Sequence, residues 1–301
     1  MFDFIREING QDFCIIFPIY VVVVIILNNI IRGLLRKSEN EKILDEVGMD
    51  AKELTNLDIL ILRVDDDRVE IIKYFIFKLW KEKKIELINK GKKVYVKLLD
   101  ENYLSENIIE SCILYLCRTD KNINDLYTDK VLEGEIKKKV KIKKNKLIEE
   151  GYIFKSSYLK KQSIFNICIL IIMLFPGITK LIMGMNNGKP IRNLLIELII
   201  GFIAYLFLTA ANEKSKLGIE LLKEKENYYN NINWNSLEFN ELELCGCILG
   251  FEVLKKFPET AVFATNLFTV SNSRSGSDGG SCSSCSSCSS CSSCGGCGSS
   301  D

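Results

Sequence analysis

Three long apolar runs constrain this chain more than any other feature of its sequence. They cover residues 13–31, 164–182 and 194–211 and are almost free of charge, whereas lysine, aspartate and glutamate crowd the segments between them. About twenty apolar residues in a helix cross a hydrocarbon core of roughly 30 Å. We therefore expect a mainly α-helical membrane protein with three transmembrane helices at these positions.

Charges beside the runs predict how the chain crosses the membrane. The first run follows acidic residues and precedes Arg32, Arg36 and Lys37, the reverse of a cleaved signal peptide, so we expect a retained anchor. Lysines also stand before the second run and after the third. The positive-inside rule then places residues 1–12 outside the membrane, and the middle domain and the tail in the cytoplasm.

One carboxylate, Glu197, falls inside the third run. Ionisable groups within membranes are often functional. Because Glu197 lies near the end of the run, we expect it to reach hydrated headgroups, with an intramembrane functional role as the alternative.

The region 32–162 is expected to form a winged-helix-like cytoplasmic domain. A short apolar helix at 59–64 precedes Asp65, Asp66 and Asp67, which supply an N-cap and first-turn charge for the next helix. The segment KIELINKGKKVYVKL then alternates as a β-hairpin that turns at 89–91. Further helices are predicted at 108–117 and 132–150, where Gly151 would end the second.

A dense group of lysines covers one of these helices. Seven of the ten residues at 137–146 are lysine, a density that favours phosphate contacts with nucleic acid or attraction to an anionic membrane. In this lysine-rich chain we favour the membrane surface over nucleic acid. The candidate contacts are Lys137, Lys138, Lys139, Lys141, Lys143, Lys144 and Lys146.

Residues 212–270 are expected to form a juxtamembrane helical segment that lies against the membrane or the middle domain. Cys245 and Cys247 have the spacing of a chelating pair. Within an apolar helix, however, cysteines are usually small buried residues, and we interpret these two in that way.

The absence of histidine removes most catalytic possibilities. Serine–histidine and cysteine–histidine catalysis, histidine-based zinc hydrolysis and mixed cysteine–histidine zinc sites all need imidazole. The chain also lacks a Walker phosphate loop and a GxGxxG motif. We therefore expect a protein that is not an enzyme.

The C-terminal segment 271–301 is rich in serine, glycine and cysteine and is expected to be disordered. Its cysteines recur at every third residue, a spacing that suits soft-metal binding to Zn or Cu(I). Two alternatives stay open: a substrate of peptide-modifying enzymes, and a solvated tail without selected chemistry. The candidate ligands are Cys282, Cys285, Cys288, Cys291, Cys294 and Cys297.

The order of several motifs resembles an uncharacterised family of bacterial membrane proteins whose conserved region ends in a nearly low-complexity Cys/Gly-rich tail. The motifs are Asn9 to Phe13, the segment DILILRVDDDRVEIIKYFIFKLWKEKKIEL, Gly188-Lys189-Pro190, Lys216-Leu217-Gly218 with Leu221-Leu222, and the tail. The DDD stands where a glycine-rich turn is typical, and the tail holds more serine than glycine. The resemblance implies a membrane location and brings no catalytic residues.

Together these features predict a binding or scaffold component of a membrane. Its expected partners are the lipid bilayer and, through the tail, a metal, a modifying enzyme or another protein. Two alternative functions are a membrane-tethered regulator that binds DNA through the lysine-rich helix and a precursor whose tail is modified.

Overall fold

A computed structural model describes residues 8–47, 53–91, 93–100, 103, 105–188, 191–209, 212–234 and 237–269. In these ranges the protein is mainly helical with one small sheet. The elements in chain order are α1 (Gly10–Val47), α2 (Asn56–Val64), α3 (Arg68–Lys81), β1 (Ile85–Lys90), β2 (Lys93–Leu98), α4 (Ile108–Leu116), β3 (Lys121–Asn122), α5 (Ile123–Thr128), α6 (Lys130–Glu149), α7 (Ser156–Asn186), α8 (Arg192–Leu208), α9 (Lys216–Asn231), α10 (Leu242–Leu249), a 3-10 helix (Phe251–Lys256) and α11 (Pro258–Thr269).

Helices α1, α7 and α8 pack pairwise into a three-helix bundle. A Cβ atom at Gly177 would lie 2.7 Å from the ring of Phe17 and 2.8 Å from Leu198, so only glycine permits this close approach. Among the described residues, α1 and α7 are long and apolar enough to cross a membrane, and they contain the predicted spans 13–31 and 164–182. Helix α8 coincides with most of the predicted third span, whose membrane crossing stays a prediction.

The other elements form a helical domain around one apolar core. The core extends from Leu57 in α2 to Leu267 in α11 and includes Ile109 from α4 and Leu132 from α6. Helices α9, α10 and α11 also belong to it, because α9 packs against α10, α10 packs against α2 and α3, and α11 packs against the 3-10 helix and β1. These helices are therefore part of the domain itself.

The sheet is antiparallel, with strand order β1-β2-β3. Its hairpin pairs Ile85 with Leu98 and Lys90 with Lys93, and Gly91 adopts a φ of 67° at the turn. The third strand is short and pairs its Asn122 with Tyr95 of β2. The winged-helix likeness itself stays a prediction.

Local capping explains where the first two domain helices begin. Thr55 and Asp58 form a reciprocal capping box, so α2 starts at Asn56, three residues earlier than apolar spacing alone predicts. Asp67 accepts hydrogen bonds from the backbone of Val69 and Glu70 and starts α3. Of the three aspartates, Asp67 therefore provides the predicted N-cap.

A short junction joins the bundle to the domain. Ile153 bridges to Lys214, and the amide of Phe154 donates to the carbonyl of Glu213 at 2.9 Å. A Cβ at Gly218 would lie 2.3 Å from the carbonyl oxygen of Tyr152, which fixes α9 against the segment that leads into α7. The start of α7 and the exit from α8 thus leave the domain at one place.

Candidate functional sites: the bundle exterior and the lysine-rich helix

The outer surface of the three-helix bundle is apolar along its length. Large aliphatic and aromatic side chains point outward from all three helices, and several are more than half exposed. Such a continuous apolar surface is rare on soluble proteins and marks contact with lipid or with a partner. Examples are Ile15, Ile19, Ile26, Ile30, Ile164, Ile171, Ile172, Leu195, Ile200, Phe202 and Phe207.

The interior of the bundle contains polar side chains that the sequence analysis did not identify. Asn28 is 1% exposed, and its amide donates to the hydroxyl of Tyr205 at 3.4 Å. Tyr205 in turn donates to the backbone carbonyl of Asn166 at 2.7 Å. These contacts connect all three helices. The only hint in the sequence is that Asn28 interrupts an apolar run.

At the domain end of the bundle, the first basic residues after the apolar run face the protein. Arg32 lies 3.5 Å from the carbonyl of Leu208, at the C-terminal end of α8. Arg36 donates to the carbonyl of Lys214 at 2.5 Å and stacks over the ring of Phe154. Arg32 therefore joins α1 to the end of α8, and Arg36 joins α1 to the junction.

Glu197 faces the interior of the bundle. One oxygen atom of its carboxylate is buried without a hydrogen-bond partner in the described part of the chain. The thiol of Cys14, on α1, lies close enough to interact with the same side chain. Packing of α8 against α1 turns this oxygen inward, whereas the side chain as a whole is half-buried, so its contact with hydrated headgroups stays a prediction.

Most of the lysines on α6 are engaged in ion pairs. The pairs join Lys137 to Glu133, Lys138 to Glu135, Lys143 to Asp58, Lys144 to Asp65 and Glu213, and Lys146 to Asp58 and Glu150. Lys139 and Lys141 have no ion pair within the described residues. In the C-terminal half of α6, Lys143, Lys144 and Lys146 therefore contact the domain, whereas Lys137 and Lys138 are largely exposed.

The fully buried carboxylate of Asp58 anchors this arrangement. Lys143 and Lys146 approach its two oxygens at 3.0 and 3.3 Å. Burial opposes ionisation, but hydrogen bonds from Thr55 and Lys143 outweigh it, so the pKa of Asp58 lies below its ordinary value. Asp58 thus stays charged at neutral pH and holds α6 against α2.

The cysteines of the helical domain lack the character of ligands. Burial raises the pKa of Cys117 and of Cys245 to about 12, and it also raises the pKa of Cys247 well above its ordinary value. Thiols of this kind stay protonated and bind metals poorly. Within the described ranges, no group of three or more histidine, cysteine, aspartate or glutamate side chains is placed to hold a metal ion. The six candidate ligands from Cys282 to Cys297 lie outside the described residues.

Comparison of the chain with protein families, with curated proteins and with solved structures finds no match. The functional interpretation therefore depends on the sequence and on the geometry of the described residues.

Proposed function

We propose that this chain is a membrane-anchored binding or scaffold component. In this proposal the bundle of α1, α7 and α8 crosses a bacterial inner membrane and holds the helical domain at its cytoplasmic face. The observation that carries the proposal is the apolar exterior of the bundle, which stands beside a domain with a charged surface. Membership of the bacterial family that the sequence resembles is part of the same proposal.

Helix α8 serves as the third span in this arrangement. Its 17 residues extend over about 26 Å, near the lower limit for crossing a hydrocarbon core. It packs against both α1 and α7, and Ile199, Ile200 and Phe207 are at least half exposed on its outer side. A helix in this position shares the membrane environment of its two neighbours.

The positive-inside rule supports a cytoplasmic domain. Basic residues concentrate where the bundle meets the domain, namely Arg32, Arg36, Lys37, Lys155, Lys160, Lys161, Lys214 and Lys216. The opposite end carries fewer, among them Lys180 and Arg192. The larger count places the N-terminus outside.

Extraction of native membranes with alkaline carbonate tests the anchor. We expect the full chain to stay in the membrane pellet, because lipid surrounds the bundle. Protease added to inverted membrane vesicles should cleave the domain, whereas protease added to right-side-out vesicles should leave it intact. Release by carbonate would overturn the anchor, and the reverse cleavage pattern would overturn the orientation.

We extend the proposal to the cysteine-rich tail as a soft-metal ligand for Zn or Cu(I). The chain reaches this tail from α11, which packs against the β-hairpin, so the tail starts on the same side of the membrane as the domain. The support is the spacing of its cysteines, since two thiolates three residues apart can bind one tetrahedral metal ion.

Intact mass spectrometry of the natively purified chain, with and without thiol alkylation, tests the tail. Metal adducts that a chelator removes, and that deletion of residues 279–301 abolishes, are the expected result. Losses of water or of hydrogen pairs would instead establish the precursor alternative. Six free, alkylatable tail thiols without metal would overturn the metal proposal.

The DNA-binding alternative receives less support from the geometry. Phosphate contacts need accessible cations, and the ion pairs of Lys143, Lys144 and Lys146 direct these side chains into the domain. The proposal therefore leaves nucleic acid out.

A further inference from the structure

A groove lies between α1 and the start of α9, where the bundle meets the helical domain. Its volume is about 260 Å³. It begins two residues beyond the apolar run 13–31, at the depth of lipid headgroups if the bundle spans a membrane. Gly33, Arg36, Lys37, Asn40 and Leu44 line it from α1, and Lys216 lines it from α9.

The groove carries a positive charge. Its three cations face one carboxylate, that of Glu41. Lys37 is exposed and has no ion pair within the described residues. The pair of Lys216 with Glu220 is 3.6 Å long, and both side chains are more than 60% exposed, so it neutralises Lys216 weakly. Two flexible lysines are therefore available to an anion.

Contacts with the protein hold the groove open and in place. Arg36 is fixed by the carbonyl of Lys214 and the ring of Phe154. The amide of Lys216 donates to the side-chain oxygen of Asn40 at 2.8 Å, which ties α9 to α1. These contacts fix the distance between α1 and α9, the two helices that line the groove.

The membrane end of the groove is apolar and open. A Cβ at Gly33 would meet no atom within 4 Å. The neighbouring Leu34 is 64% exposed. An occupant that joins an anionic group to an apolar chain fits both parts of this surface.

We propose that this groove, the basic groove, binds an anionic phospholipid, with the phosphate beside Lys37 and Lys216 and an acyl chain along Leu34. The inference rests on the proposed membrane anchor. Anionic lipids of the inner leaflet offer both chemistries at this depth, and each lysine near such a surface contributes about 1 kcal/mol of attraction. The bound lipid would hold the junction of bundle and domain against the membrane surface.

Native mass spectrometry of the full chain in detergent, with added phosphatidylglycerol or phosphatidylcholine, tests the inference. We expect the wild-type chain to bind phosphatidylglycerol more tightly. The double variant Lys37→Gln/Lys216→Gln should lower that affinity roughly 25-fold, about fivefold per lysine, and leave phosphatidylcholine binding unchanged. The matched control Lys42→Gln/Lys223→Gln removes the same charge from the same two helices outside the groove and should bind as the wild type does.

A second variant tests the shape of the groove without changing its charge. Gly33→Leu fills the open end, and because leucine is a better helix former than glycine, α1 should stay folded. We expect weaker phosphatidylglycerol binding with an unchanged far-UV circular dichroism spectrum.

Two results would overturn the basic groove. One is equal binding of phosphatidylglycerol by the wild type and by Lys37→Gln/Lys216→Gln, and the other is an equal loss of binding in the control pair. If the chain resists carbonate extraction but shows no lipid preference, only the basic groove fails. If carbonate releases the chain, the membrane anchor itself fails.

Discussion

The bundle and the helical domain place polar and apolar residues in opposite positions. Helix α1 shows both patterns along its length: in the bundle Asn28 is buried while Ile26 is exposed, and in its last turns Ile43 is buried while Glu46 is exposed. A change of the surrounding solvent along one continuous helix explains such a reversal. In the proposed arrangement the reversal marks where lipid ends and water begins.

The bundle and the helical domain are expected to differ most in the free-energy cost of a charge placed on their outer surfaces. Ile172→Arg places a cation on the outward face of α7, where we expect an insertion cost of about 3 kcal/mol. Ile142→Arg introduces the same change on the exposed face of α6 and should alter stability by less than about 0.5 kcal/mol. The carbonate-resistant fraction of each variant measures the contrast, and equal fractions would remove the distinction between the two surfaces.

In the helical domain, loss of a buried charge pair is expected to lower the free energy of unfolding. Asp58→Asn leaves Lys143 and Lys146 without their carboxylate and should cost about 2 kcal/mol of unfolding free energy, less than for fully buried pairs because both lysines reach water. Asp120→Asn breaks the exposed pair with Lys90 and is the matched control, with a much smaller effect. Denaturant unfolding in detergent, followed by circular dichroism, compares them.

The stability lost in the same variant is expected to depend on pH. Because the folded-state pKa of Asp58 is lowered, its stabilisation is complete above the unfolded-state value of about 3.9 and is lost as pH falls through the folded-state pKa. The stability difference between wild type and Asp58→Asn should therefore stay constant from pH 7 to about 5 and shrink in stronger acid. A constant difference throughout the acid range would contradict the role assigned to the carboxylate.

The smallest effect is expected for a buried polar group in the bundle. Asn28→Leu removes the contact with Tyr205 and should cost about 0.6 kcal/mol, the average for hydrogen bonds between membrane helices. The neighbouring Asn29 is exposed on the outer surface, so Asn29→Leu should stabilise the inserted bundle. Thermal unfolding in lipid nanodiscs compares the stabilities of the two variants. A less stable Asn29→Leu than Asn28→Leu would place Asn29 at the helix interface.

The sequence predicts the local elements well and their associations poorly. Apolar runs locate α1 and α7, and the alternation in residues 84–98 locates the hairpin. In contrast, the ion pairs of Asp58 with α6 join residues 85 and 88 positions apart, and no local pattern encodes them. The same holds for the placement of α10 and α11 in the domain core, which depends on which apolar faces meet.

For the candidate sites, too, the sequence predicts the local pattern but not the contacts between distant residues. Counting lysines finds α6, but the pairing of Lys143, Lys144 and Lys146 depends on Asp58 of α2, on Asp65 directly after it and on Glu213 at the junction. The basic groove was missed because Lys37 and Lys216 are 179 positions apart in the sequence. Sequence periodicity also gives the outward face of a span only when polar residues mark the inner face, and the bundle helices contain few of these.

Tryptophan quenching by lipids brominated in the middle of their acyl chains tests the central claim most directly. Both native tryptophans, Trp80 and Trp234, belong to the helical domain, so the reconstituted wild-type chain should show little quenching. Ile200→Trp introduces an indole at the centre of α8 on its outer face, and this added emission should be strongly quenched. Quenching of the native tryptophans, or none of the introduced one, would contradict a bundle immersed in lipid beside a domain in water.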